Sequence, residues 1–455
     1  MFYLTIAAIS TPNAVGGIAV IRISGENALE AADSVFCSVS GKKAVEMNGY
    51  TCTYGYAHDN GERIDDCILT VFHAPNSYTG EDVAELSCHG GLFVTKRILR
   101  TILRYNVRPA QAGEFTKRAF INGKIDLTQA EAVMDIIAAK GGTELKMAET
   151  LRDGAAFRRS QSIKHKLVAV LGDLAAWADY PDDDIPEVEP QTLKMTLTGI
   201  RDDLAGLIKG YDYGKILREG INTVIIGRPN VGKSTLFNCL SGCERSIVTE
   251  IAGTTRDVIE ESVRIGDFTL RLSDTAGIHE TSDIIEGIGV DIAYKRLDEA
   301  ALIIAVFDGS SPLTADDTRL LQKLRNKRTI AVVNKNDVVQ NIETEIISEI
   351  TPHVVYVSAK DNTGIEQIQR CIEVLFKANE LDPEDATVAN ERQKQCIDLA
   401  LEQINEAIAA IDNGELLDAV TVLLDEAVSH ILELTGEVAT EAVVDEVFSR
   451  FCVGK

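Results

Sequence analysis

The sequence predicts a multi-domain chain of mixed class. An α/β domain is set into an all-α helical domain, and a second α/β domain precedes both. Three observations predict this. Between residues 216 and 380, four apolar runs each end in a short polar motif, the pattern of strands feeding ligand-binding loops. On both sides of that segment, over residues 121–215 and 381–455, apolar residues recur at helical spacing. In residues 1–120, strand-like runs at Ile18–Gly25, Cys67–Phe72 and Asp82–Ser87 accompany one helix-spaced run, Leu92–Tyr105.

The inserted domain is read from its motifs. Thr223–Ile226 is a buried-strand candidate that runs straight into Gly227-Arg-Pro-Asn-Val-Gly-Lys-Ser234. Those eight residues fit G-x-x-x-x-G-K-S/T, the phosphate-binding loop. Glycines at 227 and 232 let successive backbone N–H groups turn toward phosphate oxygens. Lys233 reaches the β- and γ-phosphates, and the Ser234 hydroxyl can hold Mg²⁺. Thr235–Leu240 continues as a helix whose N-terminus faces the phosphates. Leu270–Gly277 is a strand ending in D-x-x-G, Asp274-Thr275-Ala276-Gly277, with Asp274 placed to hold Mg²⁺ through water and Gly277 to meet the γ-phosphate. Ile330–Asp337 ends in Asn334-Lys335-Asn336-Asp337, where a carboxylate can accept both the N1–H and the 2-amino group of guanine. Adenine offers neither donor. Such charge-assisted bonds are worth roughly 1.5–3 kcal/mol each, enough to choose the base. Val354–Lys360 ends in Ser358-Ala359-Lys360, whose backbone can cap the guanine O6. Four motifs in this order make a P-loop, Ras-like G domain that binds GTP.

Two features of that domain depart from Ras-like enzymes. The residue after D-x-x-G, a water-orienting Gln in those enzymes, is Ile278, which has no polar atom. Downstream candidates for the water are His279, Glu280, Asp283 and Glu286. The phosphate loop carries no arginine finger but does carry Asn230, whose side-chain oxygen can ligand a monovalent cation beside the phosphates; such a cation can do the charge work of a finger. Thr249–Asp257 reads as a switch segment, with Thr254 or Thr255 hydroxyls available to Mg²⁺.

Composition sets the compartment and narrows the function classes. The chain has 455 residues, enough for about three domains. Apolar residues make up 45% and charged residues 25%, ordinary for a soluble protein. No apolar run approaches the ~20 residues of a membrane span, and the N-terminus lacks the basic region of a signal peptide. Nine cysteines without a C-x-x-C pair fit a reducing cytoplasm and exclude a disulfide framework or zinc site. A net charge of −25 argues against a general nucleic-acid-binding surface. Against that background Lys96–Lys124 stands out, with eight Lys or Arg and one acid, Glu114. It reads either as a solvated helix face or as an anion- or RNA-contacting patch.

The flanking helices begin near Leu127, where Thr128-Gln-Ala-Glu131 reads as a capping box. Pro181–Pro186 is an acidic break, read as an inter-helix loop. A further helix spans about Gln191–Tyr211, and two more span Asn390–Asn413 and Glu415–Leu434.

These motifs, together with Gly113-Glu-Phe-Thr-Lys-Arg-Ala-Phe-Ile-Asn-Gly-Lys-Ile-Asp-Leu127 and the terminal Phe451-Cys-Val-Gly-Lys455, resemble the MnmE/TrmE family of tRNA-modification GTPases over the full length. The G motifs are widespread; the GEFTKRAF stretch with a C-terminal Cys-x-Gly-Lys is specific to this family. Ala112 stands where the family usually has Pro. The resemblance implies that residues 1–120 bind folate and dimerise, so that the chain is a homodimer. It implies an FAD-containing partner, MnmG (GidA), in a heterotetramer or larger complex. The joint product is a carboxymethylaminomethyl group on C5 of the wobble uridine of certain tRNAs, with a tetrahydrofolate derivative, 5-formyl- or methylene-tetrahydrofolate, as one-carbon donor. By motif position Arg22, Glu85, Lys124 and Lys455 match folate contacts. Asn230 with the backbone of Thr249, Ile251 and Thr254 matches a K⁺ site, Ser234 and Thr255 match Mg²⁺ ligands, and Val231, Gly232, Lys233 and Thr235 complete the loop. Glu286 matches the residue that positions the hydrolytic water, and Cys452 is a candidate catalytic thiol. The competing class is a ribosome- or membrane-associated assembly GTPase that only switches. Such a switch needs neither the N-terminal domain nor the Cys-x-Gly-Lys tail.

Overall fold

The computed structural model describes residues 4–179, 188–243, 260–273, 297–376 and 388–455. It forms two compact units. One comprises Met1–Ile137, Leu151–Ile208 and Glu391–Lys455, the other Ala138–Thr150 and Lys209–Asn390.

The first unit opens on a seven-stranded sheet. Its strands are β1 (Ile6–Ile9), β2 (Ile18–Ser24), β3 (Phe36–Ser38), β4 (Thr51–Asp59), β5 (Glu62–Phe72), β6 (Val83–His89) and β7 (Arg108–Pro109), in the order β3-β4-β5-β6-β2-β1-β7. All pairings are antiparallel except β1 with β7. Side chains alternate across a strand, so Ala19, Ile21 and Ile23 of β2 are core while Arg22 stands on the other face. The helix Leu92–Ile102 covers the core face through Ile98 and Ile102.

The rest of this unit is helical. Ala155–Asp179, Pro190–Ile208, Glu391–Asp412 and Leu417–Thr435 pack in a ring, each against two others. Their buried stripes recur every three or four residues, as in Leu193, Leu197, Ile200, Leu204 and Leu207. Helix Glu391–Asp412 buries Ala400 and Ala407, small residues that let its neighbours approach. Arg392 pairs bidentately with Glu131 at 2.8 Å and also donates to the Glu433 and Leu434 carbonyls, satisfying the C-terminal end of Leu417–Thr435. The box that starts helix Leu127–Ala138 lies earlier than expected. Asp126 Oδ1 accepts from the N–H groups of Thr128 and Gln129, and Gln129 Oε1 accepts from Asp126 N–H. A carboxylate one residue before the helix outcompetes the Thr128 hydroxyl, which itself donates to Asp126.

The second unit is a six-stranded sheet in the order β13-β12-β11-β8-β10-β9: β8 (Ile221–Ile226), β9 (Glu260–Ile265), β10 (Phe268–Ser273), β11 (Leu302–Asp308), β12 (Thr329–Asn334) and β13 (Val354–Tyr356). All neighbours are parallel except β9, which pairs antiparallel with β10. Two cores flank the sheet: Ile225, Leu270, Ile304 and Val332 face one side, and Val224, Phe307, Ala331 and Val333 the other. That is why β11 and β12 read as unbroken apolar runs. Residues 138–150 belong here: Met147 packs on the first of these cores and Thr143 Oγ1 lies 3.0 Å from Asp267.

Candidate functional site

The phosphate loop follows β8 and opens the helix Lys233–Cys243. Val231 is buried inside it, while Asn230, Ser234 and Thr235 are exposed. Asn230 takes the left-handed conformation, φ 64°. Lys233 lies over its own loop, its ammonium donating to the Gly227 and Arg228 carbonyls at 2.9 Å each. Burial pulls its pKa below the usual lysine value.

Asn334, at the end of β12, is 3% exposed and clasps two segments together. Its Nδ2 donates to the Val231 carbonyl at 2.8 Å, and its Oδ1 accepts from Ala359 N–H at 3.0 Å. The phosphate loop, the N-K-x-D motif and the S-A-K motif thereby meet at the C-terminal edge of β8, β12 and β13. Asp337 is exposed, with Oδ1 accepting from the Ser358 hydroxyl at 2.9 Å. Asn336 N–H donates to Val357 at 3.0 Å, which holds the two motifs side by side. Lys360 is exposed. Lys335 carries φ 65° and donates to Asp308 at 2.7 Å. Burial pushes the Asp308 carboxyl up, but Lys335 and the Ser310 hydroxyl and N–H outweigh it and leave it below the usual range. Sequence reasoning passed over Asp308, although it too ends an apolar strand.

The candidates Thr249, Ile251, Thr254, Thr255, Asp274, Thr275, Ala276, Gly277 and Glu286 lie outside the described residues, as do Ile278, His279, Glu280, Asp283 and the acidic break Pro181–Pro186.

The first unit gathers the other candidates. Arg22 and Glu85 are register partners on β2 and β6, and Arg22 Nε donates to Glu85 Oε1 at 2.8 Å. The guanidinium lies 5.3 Å from the Tyr78 ring centre and 5.6 Å from that of Phe115. Tyr78 reaches the buried Thr116 at 2.8 Å, tying its loop to helix Glu114–Ile121. Lys124 donates to the Pro75 carbonyl of that loop at 2.9 Å. The tail closes on the same helix. Phe115 N–H donates to the Lys455 carbonyl at 3.2 Å, and Gly113 N–H to that of Cys452 at 3.3 Å. Val453 bridges Ala112. The bond there comes from Gly113, so the Ala112 departure leaves it in place. Cys452 is exposed. Tyr78 and Phe115 were not legible as members of this group, because only the folded register brings them to Arg22.

The basic stretch is largely neutralised. Arg97 pairs with Glu62, Arg104 with Asp59, Arg108 with Glu114 and Lys117 with Asp445. Arg118, 2% exposed, binds Glu81 at 2.9 Å and Glu114 at 3.1 Å. Most of these cations hold the unit together rather than forming an open anion surface.

Comparison with known proteins shows the family of the chain. The MnmE helical domain family matches residues 127–452, and the family described as GTP-binding protein TrmE N-terminus matches residues 5–124. The tRNA modification GTPase MnmE of Clostridioides difficile (strain 630) is 42% identical over 454 residues, 99% of both chains. Those of Acetivibrio thermocellus and Geobacillus thermodenitrificans are 40% and 41% identical over 457 residues, again 99% of both chains. Among solved structures, the G domain of the T. maritima FeoB iron transporter is 25% identical over 34% of this chain and 98% of that one, with a TM-score of 0.27. No described helix is long and apolar enough to cross a membrane. With two family matches that run from residue 5 to residue 452 and relatives aligned end to end, the chain belongs to the MnmE (TrmE) family.

Proposed function

We propose that this chain is a K⁺-activated GTPase of tRNA modification. With the FAD protein MnmG it adds a carboxymethylaminomethyl group to C5 of the wobble uridine of certain tRNAs, a tetrahydrofolate derivative supplying the one-carbon unit. The Asn334 clasp carries the GTPase half of this reading, since it sets the phosphate loop and both base motifs on one edge. The relatives' shared name supports the tRNA half.

In this reading Lys233 meets the β- and γ-phosphates and Asp337 reads the guanine. Ser234, exposed in the first turn of its helix, holds Mg²⁺ with Thr255. Asn230 and the backbone of Thr249, Ile251 and Thr254 hold K⁺, which supplies positive charge beside the phosphates. Glu286 orients the hydrolytic water. Hydrolysis drives G-domain dimerisation and a conformational change in a cytoplasmic homodimer. Arg22, Glu85, Lys124 and Lys455 bind the folate. The cations with the Tyr78 and Phe115 rings suit a planar, anionic ligand, and Cys452 lies near its one-carbon centre.

The test is nucleoside analysis of tRNA from cells lacking this protein. The 5-carboxymethylaminomethyl nucleosides should vanish and return on complementation. Unchanged nucleosides would leave a switch GTPase as the better reading.

A further inference from the structure

Asp308 ends β11 beside Asn334, its register partner on β12. Its side chain is 12% exposed and two sets of groups converge on it. Oδ1 accepts from the Ser310 N–H at 3.0 Å and hydroxyl at 2.5 Å, which fixes the carboxylate plane. Oδ2 accepts from Lys335 at 2.7 Å and lies 3.8 Å from Arg228 Nη2. Arg228 belongs to the phosphate loop and Lys335 to the base motif. Arg228 is steered further by the Ser311 hydroxyl and by Asp317, 3.5 Å from its Nε. Asp317 is itself held as the third-position acid of the capping box of helix Ala315–Leu324, accepting from the N–H and hydroxyl of the N-cap Thr314. The turn after β11 is stitched to the base motif as well, through Gly309 N–H to the Asn334 carbonyl at 2.9 Å and Asn341 N–H to Gly309 at 2.8 Å.

We propose that Asp308 is a positioning residue of the nucleotide site: its carboxylate holds Lys335 and draws in Arg228, so that the base motif and the phosphate loop keep one mutual geometry. Lys335 needs such a hold. It sits at a left-handed φ that a non-glycine residue visits at a cost, and its long side chain otherwise samples many rotamers. One carboxylate shared between two nucleotide-binding segments adds an electrostatic tie to the Asn334 clasp. The proposal rests on the guanine-nucleotide reading of this unit.

The test is titration of the full chain with fluorescent GTP and GDP analogues, together with steady-state hydrolysis. Asp308→Asn keeps the shape and the acceptor for Ser310 but removes the charge. Affinity for GTP and GDP should fall about tenfold, the scale of one charge-assisted bond at a partly exposed site. kcat at saturating GTP should be retained, so the loss appears in KM. Lys335→Met removes the ammonium and keeps much of the stem. If Asp308 acts through Lys335, Asp308→Asn in the Lys335→Met background should cost at most a further twofold. Unchanged affinity in Asp308→Asn, or fully additive losses, overturns the proposal. Should Asp308→Asn fail to fold, Asp308→Ser takes its place in the same cycle: a loss that largely disappears in the Lys335→Met background upholds the bracing role, and additive losses or full GTP affinity overturn it. A wild-type chain that binds neither nucleotide would instead sink the guanine-nucleotide reading itself.

Discussion

Gly232 and Asn334 leave no space between them: a Cβ on Gly232 would fall 2.2 Å from Asn334 Nδ2. Gly232 also sits at φ 99°, where L side chains are strained. Gly232→Ala therefore must either break the clasp or reshape the phosphate loop. Strain and overlap together cost about 2 kcal/mol, so GTP affinity should drop roughly thirtyfold. Titration with a fluorescent nucleotide measures this directly; wild-type affinity would mean that the loop relaxes at no cost.

In the proposed function, base choice rests on Asp337. Asp337→Asn keeps an acceptor but turns the other carboxylate oxygen into a donor. Loss of one charge-assisted bond, roughly 1.5–3 kcal/mol, should weaken GTP binding about tenfold to a hundredfold and favour xanthosine triphosphate, whose 2-oxo group accepts. Competition binding of the two nucleotides reads the switch. Unchanged preference for GTP would show that other groups choose the base.

Monovalent cations should set the turnover. Asn230, exposed and left-handed, sits in a loop without an arginine finger. GTP hydrolysis should be at least tenfold faster in KCl than in NaCl at equal ionic strength, a conservative bound for electrostatic stabilisation of the transition state. Equal rates would remove the cation from the mechanism.

The tail provides a variant that separates the proposed folate site from the nucleotide site. Gly454 sits at φ 100°, and a Cβ there would lie 2.4 Å from the Ile9 carbonyl. Gly454→Ala should displace Lys455 from helix Glu114–Ile121 and weaken 5-formyltetrahydrofolate binding by about tenfold, equivalent to roughly 1.4 kcal/mol. Basal GTP hydrolysis should stay unchanged, because the nucleotide unit has its own sheet and cores. Calorimetry and phosphate release check the two halves; full folate affinity in this variant would falsify the tail's role.

Legibility from sequence followed the physics of each element. The run Ile330–Val333 is buried on both faces of a parallel sheet, so composition alone marks it as a strand; Leu302–Phe307 is equally apolar but ends in no recognisable motif, and sequence reasoning passed over it. The long amphipathic helices were placed closely too: Asn390–Asn413 is Glu391–Asp412 in the structure. Strand β4, Thr51–Asp59, was missed because polar residues and a glycine interrupt its apolar pattern. The phosphate-loop and base motifs are contiguous in sequence and were read directly. Arg22 and Glu85 lie far apart in sequence and meet only through strand register, so resemblance alone pointed to them. Asp308 follows no short consensus, and its role emerges only from what its two carboxylate oxygens touch.

The contact of Gly454 with Ile9 also has a meaning in time. During synthesis the strand Ile6–Ile9 emerges long before the segment around Gly454 that covers it. At about 5–20 residues per second the interval is on the order of tens of seconds. Throughout it the nucleotide unit can finish folding while the surface around Ile9 and Ala112 stays open. Chains interrupted before residue 452 would therefore carry an intact nucleotide unit and an unclosed N-terminal surface. Closure of the surface around Ile9 thus waits until synthesis has passed Gly454.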